Sequence, residues 1–191
     1  MTSGGRGLKV LITGTPGVGK TTQCRKLARV LDTRCISLGE ILPHTPYVKY
    51  LEELVTYEIV DLEGARSYVW SLIKPGDVLD THVVELSPDP EVAVVLRKAP
   101  DVLFKELSTR PWPLKKVLEN VWSEVLDVVY VQAVERWRRV YQIDVTKREP
   151  DETLQLLIKC VKHGVCIDDR VDWLSYVEKS GFLDFIENLS R

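Results

Sequence analysis

Residues 14 to 21 read Gly14-Thr15-Pro16-Gly17-Val18-Gly19-Lys20-Thr21, which satisfies G-x-x-x-x-G-K-[ST] at every position. Glycines at these spacings let the main chain curl, so that several N–H groups point inward at anionic oxygens. A helix opening at Lys20 would add its positive N-terminal end. In this reading Gly17 and Gly19 belong to the cradle, and Lys20 reaches the β- and γ-phosphates of ATP or a similar nucleotide. The Thr21 hydroxyl is then a ligand for Mg2+, and Thr22 is an extra donor to the α-phosphate.

Two further residues fit the same chemistry. Asp80 ends the apolar run Val78-Leu79, so it is expected at the carboxyl edge of a strand, where a carboxylate holds Mg2+ directly or through water. The competing reading is a strand-end turn aspartate. His82 lies two residues on and shares a strand face with Asp80 if the strand continues. It either orients water and phosphate oxygens or is structural.

These residues need a frame to hold them. Leu8–Thr13 is a short apolar run of the kind that forms a buried strand, and Lys20–Leu31 carries Leu27, Val30 and Leu31 at helical spacing. Further strands are expected at Cys35–Leu38, Val78–Asp80, Val92–Leu96 and Val140–Val145. Between them, Asp101 is a candidate cap for a helix over Val102–Ser108. Pro113 can open one long helix to about Trp137, and Pro150 can open another that Gly164 ends. Strands alternating with helices predict an α/β fold, a parallel sheet with helices on both faces. Gly39–Lys74 is too long for one crossover and reads as an inserted helical lobe. In the tail, Phe182, Phe185, Ile186 and Leu189 follow i, i+3, i+4, i+7 spacing and predict a short amphipathic helix.

A chain of 191 residues, 45% hydrophobic and 28% charged, suits one domain with a real core. No stretch approaches the ~20 apolar residues of a membrane span, and the N-terminus lacks a signal-like apolar run, so a soluble, cytoplasmic protein is expected. Residues 1–7 are small and polar and are expected to be disordered. A net charge of −2 offers no global attraction to nucleic acid, so any RNA contact must be local. The four cysteines, Cys24, Cys35, Cys160 and Cys166, lack metal-type spacing. They read first as reduced, buried thiols, with disulfides the alternative for a hyperthermophile source.

The motifs occur in one order: the loop through Thr22, Asp80-Thr81-His82, Val95-Leu96-Arg97, Arg110, Lys115-Lys116, Glu119-Asn120, Glu124 and Ile143-Asp144-Val145-Thr146. That order resembles the adenylate kinase isoenzyme 6 family from Leu8 to about Lys159. The resemblance implies a P-loop NTPase fold of nucleoside monophosphate kinase type within a single domain. The core would be 8–36, 75–108 and 120–164, with a monophosphate-binding lobe at about 37–60, a short lid at about 109–119 and a helical tail at 165–191. It implies ATP + AMP ⇌ 2 ADP with Mg2+, a broad monophosphate range and a slow ATPase. It further implies a role in late small-ribosomal-subunit maturation, with a platform ribosomal protein and pre-ribosomal RNA as partners. Arg110 corresponds to the lid arginine of the family, which closes over the transferring phosphates.

Departures and open alternatives accompany the match. Pro111-Trp112 stands where the family has Gly-Tyr, and proline stiffens such a hinge. Trp112 either stacks on a base or packs against the lid. Lys147 replaces a glycine near the expected adenine. Arg97 is either a second phosphate clamp or part of a structural ion pair. Arg66 is either a monophosphate contact or a surface arginine. Arg136, Arg138 and Arg139 form a basic cluster that either meets RNA phosphates or is a solvated helix end. An assembly factor with little kinase activity and a small-molecule kinase of the shikimate type are the competing functions.

Overall fold

The computed structural model describes residues 8–190, so the disorder expected for residues 1–7 lies outside the described residues. Five strands build one parallel sheet: β1 (Leu8–Thr13), β2 (Cys35–Ser37), β5 (Val78–Asp80), β6 (Pro90–Arg97) and β7 (Val140–Asp144). Their spatial order is β2-β5-β1-β6-β7, with β1 at the centre. Parallel neighbours require crossovers, and helices supply them on both faces. The register sets Ile12 beside Asp80, Ser37 beside Asp80, and Arg97 beside Asp144, which gathers polar residues at the carboxyl ends of the strands.

Strand alternation divides the interior in two. Val10 and Ile12 of β1, with Val92, Val94 and Leu96 of β6, pack against α1 (Lys20–Leu31), α4 (Pro100–Ser108), α5 (Leu114–Val125) and α7 (Pro150–His163). Leu11, Ala93 and Val95 point the other way, onto α3 (Leu62–Leu72) and α6 (Val128–Arg136). A strand buried on both faces has no polar face, which is why β6 reads as a continuous apolar run in sequence. α7 begins at a full capping box, in which Glu149 and Glu152 satisfy each other's backbone N–H groups, and it ends at Gly164 in the left-handed region.

Several sequence expectations are corrected. The segment Gly39–Lys74 is not wholly helical: after α2 (Leu38–Ile41) it forms an antiparallel hairpin of β3 (Val48–Leu51) and β4 (Thr56–Ile59) before α3. Cross-strand partners Tyr50 and Tyr57 stack there with ring centroids 5.0 Å apart, a side-chain pair that sequence periodicity does not register. The single helix expected from Pro113 to Trp137 is two helices, because Asp127 adopts a left-handed φ of 57° between α5 and α6. Asp101 does not cap α4; Ala99 precedes it, Pro100 occupies its first turn, and Asp101 instead accepts from the Tyr176 hydroxyl. The cysteines are not free thiols: Cys24 bonds Cys35 and Cys160 bonds Cys166. The first bridge ties α1 to β2, and the second ties the end of α7 to the tail.

That tail carries α8 (Trp173–Ser180) and α9 (Phe182–Leu189). Ile186 is buried and Phe182 and Phe185 pack edge-on against Phe104 of α4, so the amphipathic helix expected at Phe182 covers its own domain. No helix among the described residues is long and apolar enough to cross a membrane.

Candidate functional site

The loop from Gly14 to Gly19 leaves the end of β1 and turns into α1. Gly14 has φ 133°, and a Cβ there would overlap the Leu96 carbonyl oxygen, so only glycine lets the loop lie against the end of β6. Gly19 has φ 92° and serves as the left-handed residue before α1, with open space where a side chain would be. The N–H groups of the first helical turn therefore face an uncrowded opening.

Lys20 is held inside this turn at 9% exposure, with its Nζ donating to the Thr15 carbonyl at 3.1 Å. Burial lowers its pKa from 10.5 to about 8; Asp80 and Glu124 pull it upward and Arg110 pushes it down. Thr21 donates its hydroxyl to Asp80, and Ser37 donates to the same carboxylate oxygen at 2.9 Å. A buried carboxylate flanked by two hydroxyls is a hard oxygen set, which fits Mg2+ bound through one carboxylate plus substrate phosphates. The position of Asp80 at the carboxyl edge follows from its register opposite Ile12 and Ser37.

These groups open into one cavity of about 690 Å3. Thr22 and Asp80 line it, as do Arg110, Trp112, Lys116, Asn120 and His82 from the surrounding segments. The residues assigned from the sequence to the phosphate cradle, the metal and the lid (Gly17, Gly19, Lys20, Thr21, Thr22, Asp80, His82 and Arg110) are thus brought to one place. The His82 side chain is exposed along the cavity wall. Desolvation, then the Lys20 and Lys116 cations, lower its pKa from 6.5 to about 4, so at neutral pH it is an uncharged imidazole. Arg110 sits in the irregular residues 109–113 that precede α5, and its guanidinium lies 4.7 Å from the Trp112 ring centroid. Lys116 lies 3.9 Å from the same ring and donates to the Val55 carbonyl at 2.5 Å, tying α5 to the hairpin. Burial and nearby Arg110 lower the Lys116 pKa. Trp112 therefore acts as a platform for two cations.

Other candidates are structural. Arg97 is 1% exposed, pairs with Glu124, Asp127 and Gln142, and does not line the cavity, so it is the ion-pair member and not a phosphate clamp. Arg66 donates to the Glu85 carbonyl at 3.0 Å and to Glu63. Asp144 and Thr146 bond each other, and the Thr146 hydroxyl accepts from Ala99 N, fixing the start of α4. Lys147 lies in a separate recess of about 380 Å3 with Thr146, Trp173 and Tyr176.

Sequence reasoning missed four residues. Ser37, Thr15 and Thr81 are buried polar groups around the loop, and Ser37 was legible only as part of the strand expected at Cys35–Leu38. Glu124 stood in the motif order without a role. Its burial at 2% exposure, accepting four donors, depends on contacts from distant segments.

Comparison with known proteins follows the same geometry. A family model described as an AAA domain matches residues 10–127. A Pyrobaculum aerophilum protein named "Putative adenylate kinase" is 67% identical over 96% of this chain and 94% of its own. A protein of the same name from Methanothermobacter thermautotrophicus is 36% identical over 88% and 98%. Among solved structures, shikimate kinase from Bacteroides thetaiotaomicron superposes with a TM-score of 0.53 at 15% identity, covering 81% of this chain and 98% of that one. Thymidylate kinase from Candida albicans gives 0.51 at 16% identity, over 83% and 92%. Both share the P-loop kinase fold.

Proposed function

The chain belongs to the family of archaeal proteins named "Putative adenylate kinase", and from that premise we propose that it is a nucleoside monophosphate kinase. It transfers the γ-phosphoryl group of ATP to a phosphate oxygen of AMP or another monophosphate. The bond from the γ-phosphorus to the β-bridging oxygen breaks, and one to the acceptor oxygen forms. With AMP both products are ADP. The observation that carries this reading is the pairing of Lys20 and Asp80 with Arg110, Lys116 and His82 around one cavity of about 690 Å3. Cations on more than one wall suit two phosphate-bearing molecules better than one.

The division of labour follows from the chemistry of each group. Gly17, Gly19 and Thr22 belong to the cradle, and Lys20 neutralises charge on the transferring group. Thr21 and Asp80 would hold Mg2+, which supplies further charge neutralisation to the phosphates. Arg110, on its short lid, covers the outer oxygens. Neutral His82 donates or accepts a hydrogen bond without adding charge. Phosphoryl transfer asks for positioning and electrostatics and no covalent intermediate, which matches the absence of a candidate nucleophile among these roles. An empty acceptor site leaves only water, giving a slow ATPase.

The hairpin and α2 form the monophosphate lobe in this reading. A recess of about 210 Å3 beneath it shares His82, Thr56 and Lys116 with the main cavity. Leu38, Leu42, Val48 and Ile59 make it mostly apolar, with no carboxylate or amide among its lining residues. A base held by apolar contact is poorly discriminated, which supports a broad acceptor range. A thin-layer screen of labelled ATP against all monophosphates tests the proposal. Diphosphate formation from several of them is expected, and none from any refutes it.

A second reading, a role in small-subunit maturation with a ribosomal platform protein and pre-ribosomal RNA, draws support from Arg136, Arg138 and Arg139. All three are exposed beside one another at the end of α6. Their suitability is for RNA phosphates. Pull-down of platform components with and without ATP separates this reading from a purely metabolic kinase.

A further inference from the structure

The carboxylate of Glu124 is fully occupied. Its Oε1 accepts from Arg97 Nε at 2.8 Å, Lys98 N at 3.1 Å and the Trp173 indole N–H at 2.9 Å. Its Oε2 accepts from the Thr15 hydroxyl at 2.5 Å. Thr15 is the second residue of the phosphate loop, and its carbonyl holds the Lys20 ammonium. A continuous chain of contacts therefore runs from Trp173 in α8, through Glu124 in α5, to the loop and its lysine. Neither Glu124 nor Trp173 lines the main cavity, so neither touches the substrate there.

The tail that carries Trp173 is firmly docked. Asp169 N donates to the Gln142 carbonyl at 3.1 Å, Asp168 accepts from Gln142 N at 3.1 Å, and Arg148 pairs with Asp169. The Cys160–Cys166 bridge anchors its beginning. Asp172 caps α8 by accepting from Ser175 N at 3.0 Å, which fixes the backbone at the first helical residue, Trp173. Rotation about the last side-chain bond of a glutamate is soft. The indole N–H, together with Arg97 Nε and Lys98 N, pins one oxygen and so aims the other at Thr15.

We infer that the C-terminal segment is a working part of the phosphate site, with Trp173 and Glu124 as positioning residues that set the loop at Thr15 and, through it, Lys20. The inference rests on nucleotide binding at the loop and not on the acceptor.

Calorimetric titration of the full chain with ATP tests this. Trp173→Phe keeps an aromatic ring and deletes the donor; it is expected to weaken ATP binding about tenfold while monophosphate affinity stays within twofold. Thr15→Val should give the same selective loss, and the double variant should be no worse than either single one. Thr15→Ser keeps the hydroxyl that Glu124 accepts from and should recover the ATP affinity lost in Thr15→Val, a recovery that a general packing defect would not produce. ATP affinity unchanged in Trp173→Phe, additive losses in the double variant, or no recovery in Thr15→Ser each overturn the inference. A chain that binds ATP in this pattern but phosphorylates no monophosphate refutes the kinase reading and leaves this one standing.

Discussion

Replacing Lys20 with methionine should stabilise the nucleotide-free protein. Lys20 is a cation held at 9% exposure, and its pKa falls from 10.5 to about 8. At about 1.4 kcal/mol for each tenfold, keeping that proton in the folded state costs ~3 kcal/mol. The bond from Nζ to the Thr15 carbonyl is lost in methionine, which returns about 1 kcal/mol. The net expectation at pH 7 is therefore ~2 kcal/mol in favour of Lys20→Met. The sign with pH follows from the two pKa values. Between about pH 8 and 10.5 the unfolded chain still binds a proton that the folded chain has released, so the stability of the parent rises across that window. Below about pH 8 the full penalty is present. Urea denaturation of parent and variant at pH 7 and at about pH 10 measures the difference, in which other titrating groups cancel. The gap should shrink toward zero at the higher pH while ATP binding is abolished at both. A variant less stable than the parent at pH 7, or a gap independent of pH, would refute the burial account of Lys20. The cost is one that the proposed role of Lys20 at a phosphate would account for.

Three further outcomes are expected. Asp80→Asn should lower Mg2+-dependent phosphoryl transfer by about 10²-fold or more while metal-free ATP binding persists, read by coupled assay and by calorimetry in EDTA. His82, held near a pKa of about 4, stays neutral through the working range, so the rate profile of the parent should show no limb near pH 6.5; a limb there that disappears in His82→Gln contradicts this. The denatured, unreduced chain should titrate no thiols and the reduced chain four, and removing either bridge should cost about 2–3 kcal/mol in a urea midpoint comparison, as expected for loops of sequence separation 11 and 6.

The boundaries read from sequence hold where the cause is local. The strand Leu8–Thr13, the helix Lys20–Leu31 and the strand Val78–Asp80 lie where the apolar runs and spacing put them. Expectations failed where a distant partner decided the outcome. The hairpin at Val48–Ile59 exists because two short strands pair with each other, and neither is apolar enough to announce itself alone. The break between α5 and α6 sits at Asp127, whose carboxylate is engaged by Arg97 from the end of β6. Helical spacing runs straight through that break, so it is invisible without the arginine.

The phosphate loop, the carboxylate at the strand edge and the alternating α/β order were all decided by residues adjacent in the chain, since glycine freedom, strand ends and helix starts act over a few positions. Tertiary structure alone decided which buried charges meet. Arg97 could have faced phosphate, and the packing of α5 against β6 gave it Glu124 and Asp127 instead. The cysteine pairs, separated by 11 and 6 residues, became bridges because β2 returned beside α1 and the tail turned back on α7. Likewise, only folding brought Trp173 to Glu124, 49 positions away. A carboxylate excluded from water must find donors wherever the fold supplies them, and no local spacing records where they come from.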